Sequence, residues 1–450
     1  MTVRHESFGR VAAPIHRSMS ADAAITALSR RTPERDSLLA YGNGRSYGDS
    51  CLNPRGAMID MRGRSRILSF DPSDGAIEVE AGVLLSDIIA HAAPHGYFPA
   101  VVPGTQFVTV GGAIANDVHG KNHHRRGTFG GHVDSFVLMR SDSEQIVCSR
   151  TRNAELFAAT IGGMGLTGLI LSARLYLMKV PSRDVAERVV PFPSIEAYLD
   201  LAEAADADNE YAVAWIDQLA TGVHAGRGLL LTGNHAETAA SPQAVRKARL
   251  GVPFAPPMTV LNQPFLKLFN AAYRWAKSRK QGVHVSGYQS FFFPLDGVSD
   301  WNLLYGPRGL HQHQSVIPFD AAREAVQALL AASHKAGQGS FLTVLKRFGD
   351  IGSPGLLSFP RPGYTLTLDF PHRGERTLAL LSELDRITVD AGGAVNPYKD
   401  ARMSAETFAA SFPDFRKLAA RRDPAFSSGF WQRTGERLLN QEIHLAQAAE

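Results

Sequence analysis

The run best suited to hold an anion is Tyr41-Gly42-Asn43-Gly44-Arg45-Ser46-Tyr47-Gly48-Asp49-Ser50. Glycines at 42, 44 and 48 let backbone N–H groups turn toward a ligand with no Cβ in the way, as in loops that cradle phosphate oxygens. Arg45 and Ser46 add side-chain donors. The spacing G-x-G-x-x-x-G is not that of a dinucleotide loop opening a helix, and the following SYGDSCLNPRG reads as turn. On this run alone, a phosphate loop and a plain glycine-rich turn are equally good readings.

A second run, Pro103 to His124, has small residues at 111–115 that suit close approach of backbone to a large flat or phosphorylated ligand. Thr105 and Thr109 can add hydroxyls. His119, His123, His124 and His132 fall close together. A metal site would need a completing cysteine or carboxylate, and Gly120 interrupts the helix on which His119 and His123 would share a face. No metal is expected, and His123 and His124 read as surface or loop side chains. The third run, Ile161-Gly162-Gly163-Met164-Gly165-Leu166-Thr167-Gly168, lies between a helix and a strand and by itself reads equally as a helix cap and turn.

These runs need a frame. At 450 residues the chain exceeds what one core supports, so two or more domains are expected. Apolar content of 44% and charged content of 20% exclude a disordered or fibrous chain. A net charge of +4 is too mild to suggest nucleic acid, and no basic-aromatic RNA motif is present. Cys51 and Cys148 have no partners at metal spacing and read as reduced thiols. The start, MTVRHESFGRVAAPIHRS, lacks the apolar core of a secretory signal, and no run approaches the ~18–20 apolar residues of a membrane span. A cytoplasmic protein, with peripheral contact to the inner membrane, is expected.

The first ~180 residues read as short strands, turns and two or three helices. An apolar run at 37–41 ends in glycine. Residues 66–81 alternate about an Asp-Pro-Ser-Asp-Gly turn, as a hairpin does, and 135–150 look like a second hairpin. VLLSDIIAHAAPHG and ELFAATIGG predict helices, and LTGLILSARLYLMKV a long strand. Past Pro181, strands and helices alternate at longer spacing (SIEAYLDLAEAA, YAVAWID, AAREAVQALLAASHKAG), as in a separate α+β domain. The charged helical tail from about Asn396 is not assigned to either part by composition.

In this order and spacing, the three glycine-rich runs resemble the flavin domain of the vanillyl-alcohol oxidase / p-cresol methylhydroxylase superfamily. PGTQFVTVGGAIANDVHGKNHH, ATIGGMGLTG, LHQHQSVIP, FLTVLKRFG, LSFPRPGY and YKDARMSAETF carry the likeness nearly to the C-terminus, toward the members that oxidise polyprenyl-phosphoryl pentoses. The resemblance implies a two-domain α+β fold. An FAD-binding domain would comprise 1–182 and 396–450, and a substrate-binding domain, 183–395, would set an antiparallel sheet over the flavin ring. Arg45 stands where many relatives carry a flavin-linking histidine, which implies non-covalent FAD. Cofactor contacts are implied for Gly42, Asn43, Gly44, Arg45, Ser46, Tyr47, Gly104, Thr105, Thr109, Gly112, Asn116, His119, Gly120, Asn122, His123, Gly163, Gly165, Thr167, Gly168 and Lys399. Substrate contacts are implied for Gln312, Gln314, Lys346, Trp215, Thr367 and Asn396. Lys399, in a K-D-[SA]-R motif, His119 and Gln314 are the implied catalytic residues, with Lys399 either the base or a fixed positive charge.

The implied reaction oxidises a secondary, 2′-type hydroxyl to a keto sugar by hydride transfer to flavin N5. A separate NAD(P)H-dependent short-chain reductase would complete a ribose-to-arabinose epimerisation. The alternative is an aldonolactone or alditol-type oxidase using soluble substrates and O2. Three departures from the resemblance bear on the substrate. Thr367 replaces a cysteine, Asn396 a tyrosine, and Phe291-Phe292-Phe293 lacks an expected hydroxyl and imidazole. Finally, a helix over 265–280 would place Phe265, Leu268, Phe269, Ala272 and Ala276 on one face, with basic residues and Trp275 around the rest. That face suits a bilayer surface or a packed core.

Overall fold

Strand alternation sets the frame of the computed structural model, which describes residues 2–12, 15–30, 36–142, 145–238, 250–280 and 282–449. The first 180 residues supply a mixed four-stranded sheet and an antiparallel five-stranded one. In the first, Ile15–Ser20, Gly56–Asp60 and Ser37–Tyr41 run parallel. In the second, the expected hairpins form as Ile67–Asp71 with Ala76–Glu80 and Val133–Met139 with Gln145–Ser149, joined through the long strand Leu169–Tyr176. Part of the second hairpin's turn, 143–144, lies outside the described residues. The helices Leu85–Ala92 and Ala154–Thr160 form where the periodicity places them.

Residues 185–395 build an eight-stranded sheet in which every pairing is antiparallel. Its central strands read in two registers. In Gly363–Pro371, Leu366, Leu368 and Phe370 point one way and Thr365, Thr367 and Asp369 the other, because side chains alternate across a strand. The apolar set meets the helices Ile195–Asp208, Ala322–Lys335 and Glu375–Asp390 through Tyr198, Val326, Leu329, Leu380 and Leu384. Full burial of each such side chain is worth about 1.5–3 kcal/mol. Residues directly opposed in the ladder share a face, so Gln314, Thr367 and Val344 align, as do Gln312 with Asp369 and Lys346 with Thr365. The opposite face is therefore polar over its central strands.

The tail beyond 396 turns back to the first strands. Leu38 donates its N–H to Ala425 O (2.7 Å) and accepts from Ser427 N–H (3.0 Å). Arg433 joins Asp49 at 2.9 Å and Asp400 at 2.6 Å. Phe408, Phe415, Phe430 and Trp431 pack with Met164, Leu166 and Phe348.

Two sequence readings need correction. His123 and His124 are not surface side chains. His123 is 1% exposed beside the Phe348 ring (4.7 Å), and His124 Nδ1 faces Asp206 at 3.4 Å. In the helix Gln263–Ser278, Phe269 turns inward to Phe341 (5.0 Å), while Trp275 joins Phe265, Leu268, Ala272 and Ala276 outside. Leu266, Asn270 and Tyr273 supply the packed face, so this helix is apolar on both sides. No helix among the described residues is long and apolar enough to cross a membrane.

Candidate active site

The three glycine-rich runs converge. The strand Ser37–Tyr41 ends at Gly42, where a Cβ would stand 2.5 Å from Thr109 Oγ1, and Asn43 Nδ2 donates to Phe107 O at 2.8 Å. Thr109 also caps the short helix Val110–Ala115, accepting Gly112 N–H at 3.2 Å. The third run locks onto that helix through Gly162 N–H to Ile114 O (3.0 Å) and Met164 N–H to Ala115 O (2.8 Å). At Gly48 a Cβ would lie 1.6 Å from Asp400 O, so only glycine lets the first run meet the segment bearing Lys399.

This convergence leaves donors open. Among the described residues, the N–H groups of Asn43, Gly44, Arg45 and Ser46 have no partner. Gly104 faces free space. Nearby, Arg45 Nε, Asn122 Oδ1, Gln312 Oε1 and both ring nitrogens of His123 are buried and unpartnered. An unmet buried polar atom costs about 1–3 kcal/mol, so a cluster of them marks a ligand surface. Open backbone donors beside a guanidinium suit a pyrophosphate, and the small residues beyond suit a flat ring. The residues present fit FAD.

Other expected contacts divide. Asn116 Nδ2 donates to Gly112 O (2.9 Å), and Thr105 Oγ1 accepts Phe107 N–H (3.2 Å). Gly163, Gly165 and Gly168 shape the third run, the last two at positive φ. Thr167 turns inward to Thr160 Oγ1 (2.9 Å) and is fully buried. Trp215 shares the face of Lys346, but its ring lies against Tyr273 at 5.1 Å.

Across from the loops stands the polar face of the sheet. Gln314 Nε2 lies 3.1 Å from His119 Nε2 and 3.0 Å from Thr365 Oγ1, and its Oε1 accepts from Asn396 Nδ2 at 2.9 Å. Lys346 Nζ is 3.2 Å from His119 Nδ1 and 3.4 Å from Gly120 O. Gln312 Nε2 donates to Asp369 Oδ1 (2.6 Å), and Tyr305 OH approaches Asp369 Oδ2 (3.4 Å). Lys399 Nζ sits 5.0 Å above the Tyr47 ring. His119, Gln312, Gln314, Lys346, Asn396 and Lys399 are thus brought together from segments up to 280 positions apart, the separation of His119 and Lys399.

Electrostatics follow from burial. Desolvation, then Lys399 and Lys121, brings the Lys346 amine down to about 7. His119 is held well below its ordinary value by burial, then by Lys346 and Lys399. Burial raises the Asp369 carboxyl and lowers Lys399, and their mutual attraction opposes both changes.

Sequence reading missed Asp369, Thr365, Tyr305 and Lys121. The period-two polar set Thr365, Thr367, Asp369 inside an apolar strand was a usable signal for the first two. Lys121 is pressed against the Phe291 ring (4.7 Å), donates to Phe291 O, and is brought to about 7 by burial.

Comparison with known proteins agrees with this geometry. The FAD binding domain family matches residues 18–149. The chain is 34% identical over 427 residues to decaprenylphosphoryl-β-D-ribose oxidase of Mycolicibacterium smegmatis, covering 92% of each chain. It is 33% identical to an uncharacterized protein of Streptomyces coelicolor over 76% of this chain and 97% of that one. It is 30% identical to mouse (Mus musculus) L-gulonolactone oxidase over 42% of this chain and 41% of that one. The chain is an FAD-dependent oxidoreductase and belongs to the decaprenylphosphoryl-β-D-ribose oxidase family of the vanillyl-alcohol oxidase / p-cresol methylhydroxylase superfamily.

Proposed function

We propose that this enzyme oxidises a secondary, 2′-type hydroxyl of a polyprenyl-phosphoryl pentose to a keto sugar. The observation that carries the reading is the meeting of His119, Gln314, Lys346 and Lys399 opposite open glycine-loop donors. In this reading, residues 1–182 and 396–450 form the FAD-binding domain and 183–395 the substrate-binding domain. The segment 42–47 holds the FAD pyrophosphate, with Gly104, Thr109, Gly112, Asn116, Gly120 and Asn122 along the cofactor. Bound FAD supplies the acceptor for the hydride that leaves the carbinol carbon. The chain's own groups orient the hydroxyl, through Gln314 and Asn396, and take its proton. Arg45 at the linking position makes the FAD non-covalent, so acid precipitation should release the flavin into the supernatant.

The keto product requires a reductant, and a separate NAD(P)H-dependent short-chain reductase would complete the epimerisation. A lipid-linked substrate also calls for a membrane face. On the helix Gln263–Ser278, Leu268 and Trp275 are 73% and 63% exposed, Lys267 is exposed beside Leu268 in sequence, and Arg279 lies over the Trp275 ring. This mixture suits an anionic bilayer surface. Phe265→Asp with Leu268→Asp should abolish flotation with anionic liposomes, and undiminished flotation would remove the idea.

The decisive experiment is anaerobic addition of a polyprenyl-phosphoryl ribose analogue while flavin absorbance is followed. Bleaching is expected. Bands that persist with this substrate but bleach with aldonolactones or alditols would move the enzyme to soluble sugars, the likeness to L-gulonolactone oxidase then being the better guide.

A further inference from the structure

One backbone group fixes the direction of every hydrogen bond between Tyr398 and Lys346. The N–H of Tyr398 can only donate, and it meets Asn396 Oδ1 at 2.9 Å. Asn396 therefore presents Nδ2 to Gln314, which answers with its carbonyl oxygen at 2.9 Å. Gln314 must then turn its NH2 toward Thr365 Oγ1 and His119 Nε2. A ring nitrogen facing an amide NH2 carries a lone pair, so the His119 proton sits on Nδ1. That N–H faces Lys346 Nζ, 3.2 Å away, with the Gly120 carbonyl as its other neighbouring acceptor. An ammonium there would set donor against donor, whereas an uncharged amine accepts.

The other groups facing Lys346 agree. Gly120 O takes one of its N–H groups at 3.4 Å, Lys399 and Lys121 act on it as like charges, His123 lies close enough for Lys346 to lower it further, and among the described residues no carboxylate acts on Lys346. Lys399 differs in having Asp369 as its attracting neighbour.

We propose that Lys346, rather than Lys399, accepts the substrate proton, and that Asn396, Gln314 and His119 are positioning residues that keep its amine uncharged; this rests on the oxidase reading above. The entering hydroxyl replaces His119 Nδ1–H on the Lys346 lone pair. The O–H bond breaks and an N–H bond forms. The C–H electron pair leaves as hydride, for which FAD is the acceptor, and the carbon–oxygen bond becomes a carbonyl. The new ammonium donates to Gly120 O and to the product oxygen. Lys399 stays cationic and steadies negative charge growing on that oxygen.

The chain's polarity is readable without substrate. In the FAD-loaded enzyme labelled with 15N-histidine, His119 is assigned by the signal lost in His119→Gln. It should show the Nδ1–H tautomer. Asn396→Leu, which frees Gln314 to turn, should mix the tautomers. Asn396→Asp, which can only accept, should reverse Gln314 and move the proton to Nε2. An Nε2–H tautomer in the wild type, or none of these changes in the variants, overturns the proposal. In anaerobic bleaching, Lys346→Met should lose about 100-fold or more in rate with FAD retained, and Asn396→Asp should shift the acid limb to higher pH. Full bleaching by Lys346→Met, with loss in Lys399→Met, would assign the proton to Lys399 instead. A wild type that never bleaches would remove the oxidase reading, and the tautomer would still decide the chain.

Discussion

The two walls of the site are built on different principles. The loop wall is backbone. Its donors at 43–46 are open, and its shape depends on places where no Cβ can stand, such as Gly42 against Thr109 and Gly48 against Asp400. The sheet wall is side chain. Gln312, Gln314, Thr365, Asp369 and Asn396 are nearly fully buried and interlocked by hydrogen bonds. A backbone wall can hold a cofactor while its side chains change, but it fails when a glycine gains a methyl. A side-chain wall keeps its shape yet changes its chemistry with one atom, because each partner sets the donor or acceptor role of the next.

The sharpest separation should come from Lys346→Met. Flavin reduction should slow by about 10²–10⁴-fold, the range for losing a general base, while the ratio of flavin to protein absorbance holds. Loss of flavin from this variant would break the distinction between the walls. Gly48→Ala should do the reverse. Its Cβ would meet the backbone of Asp400, which cannot step aside as a side chain can. We expect destabilisation of about 1–3 kcal/mol or more in urea unfolding, and a protein that elutes from gel filtration depleted of FAD.

A smaller effect lies where the walls meet. Burial lowers Lys121 from its ordinary 10.5 to about 7. Between those values the unfolded chain binds more protons than the folded one, so stability rises with pH across the window and is lost as pH falls through 7. The slope approaches about 1.4 kcal/mol per pH unit for one proton. Lys121→Met should flatten part of the rise in urea midpoint from pH 7 to 9, and an unchanged slope would show that this amine stays charged. The smallest change is Tyr398→Phe. The hydroxyl holds Gly162 O (3.0 Å) and Leu357 O (2.8 Å), tying the third glycine run to the Lys399 segment. Its removal should cost about 1–2 kcal/mol in thermal unfolding, with the His119 tautomer unchanged because the Tyr398 N–H remains.

Much of the frame was legible. The hairpin at 66–81, the strand at 169–176 and the helix at 322–335 follow from period-two and helical patterning, which are local. Each glycine run alone left a ligand loop and a plain turn open, and only the order of motifs announced the family. Local pattern failed at His123, His124 and Phe269, where a polar loop or an amphipathic helix is compatible with either side facing inward. The alternation of Thr365, Thr367 and Asp369 marked a polar face that sequence reading passed over, but the partners of Asp369, Gln312 and Tyr305, are set only by the fold.

What the chain's sequence determined by itself was the set of elements, the glycines that free the loop donors, and the kinds of groups available for chemistry. Tertiary structure alone decided which of two lysines has a carboxylate neighbour and which has a histidine. Segments far apart in the chain meet only when the sheet is laid against the loops, and proton position depends on that meeting, because each hydrogen bond takes its direction from the next across the fold.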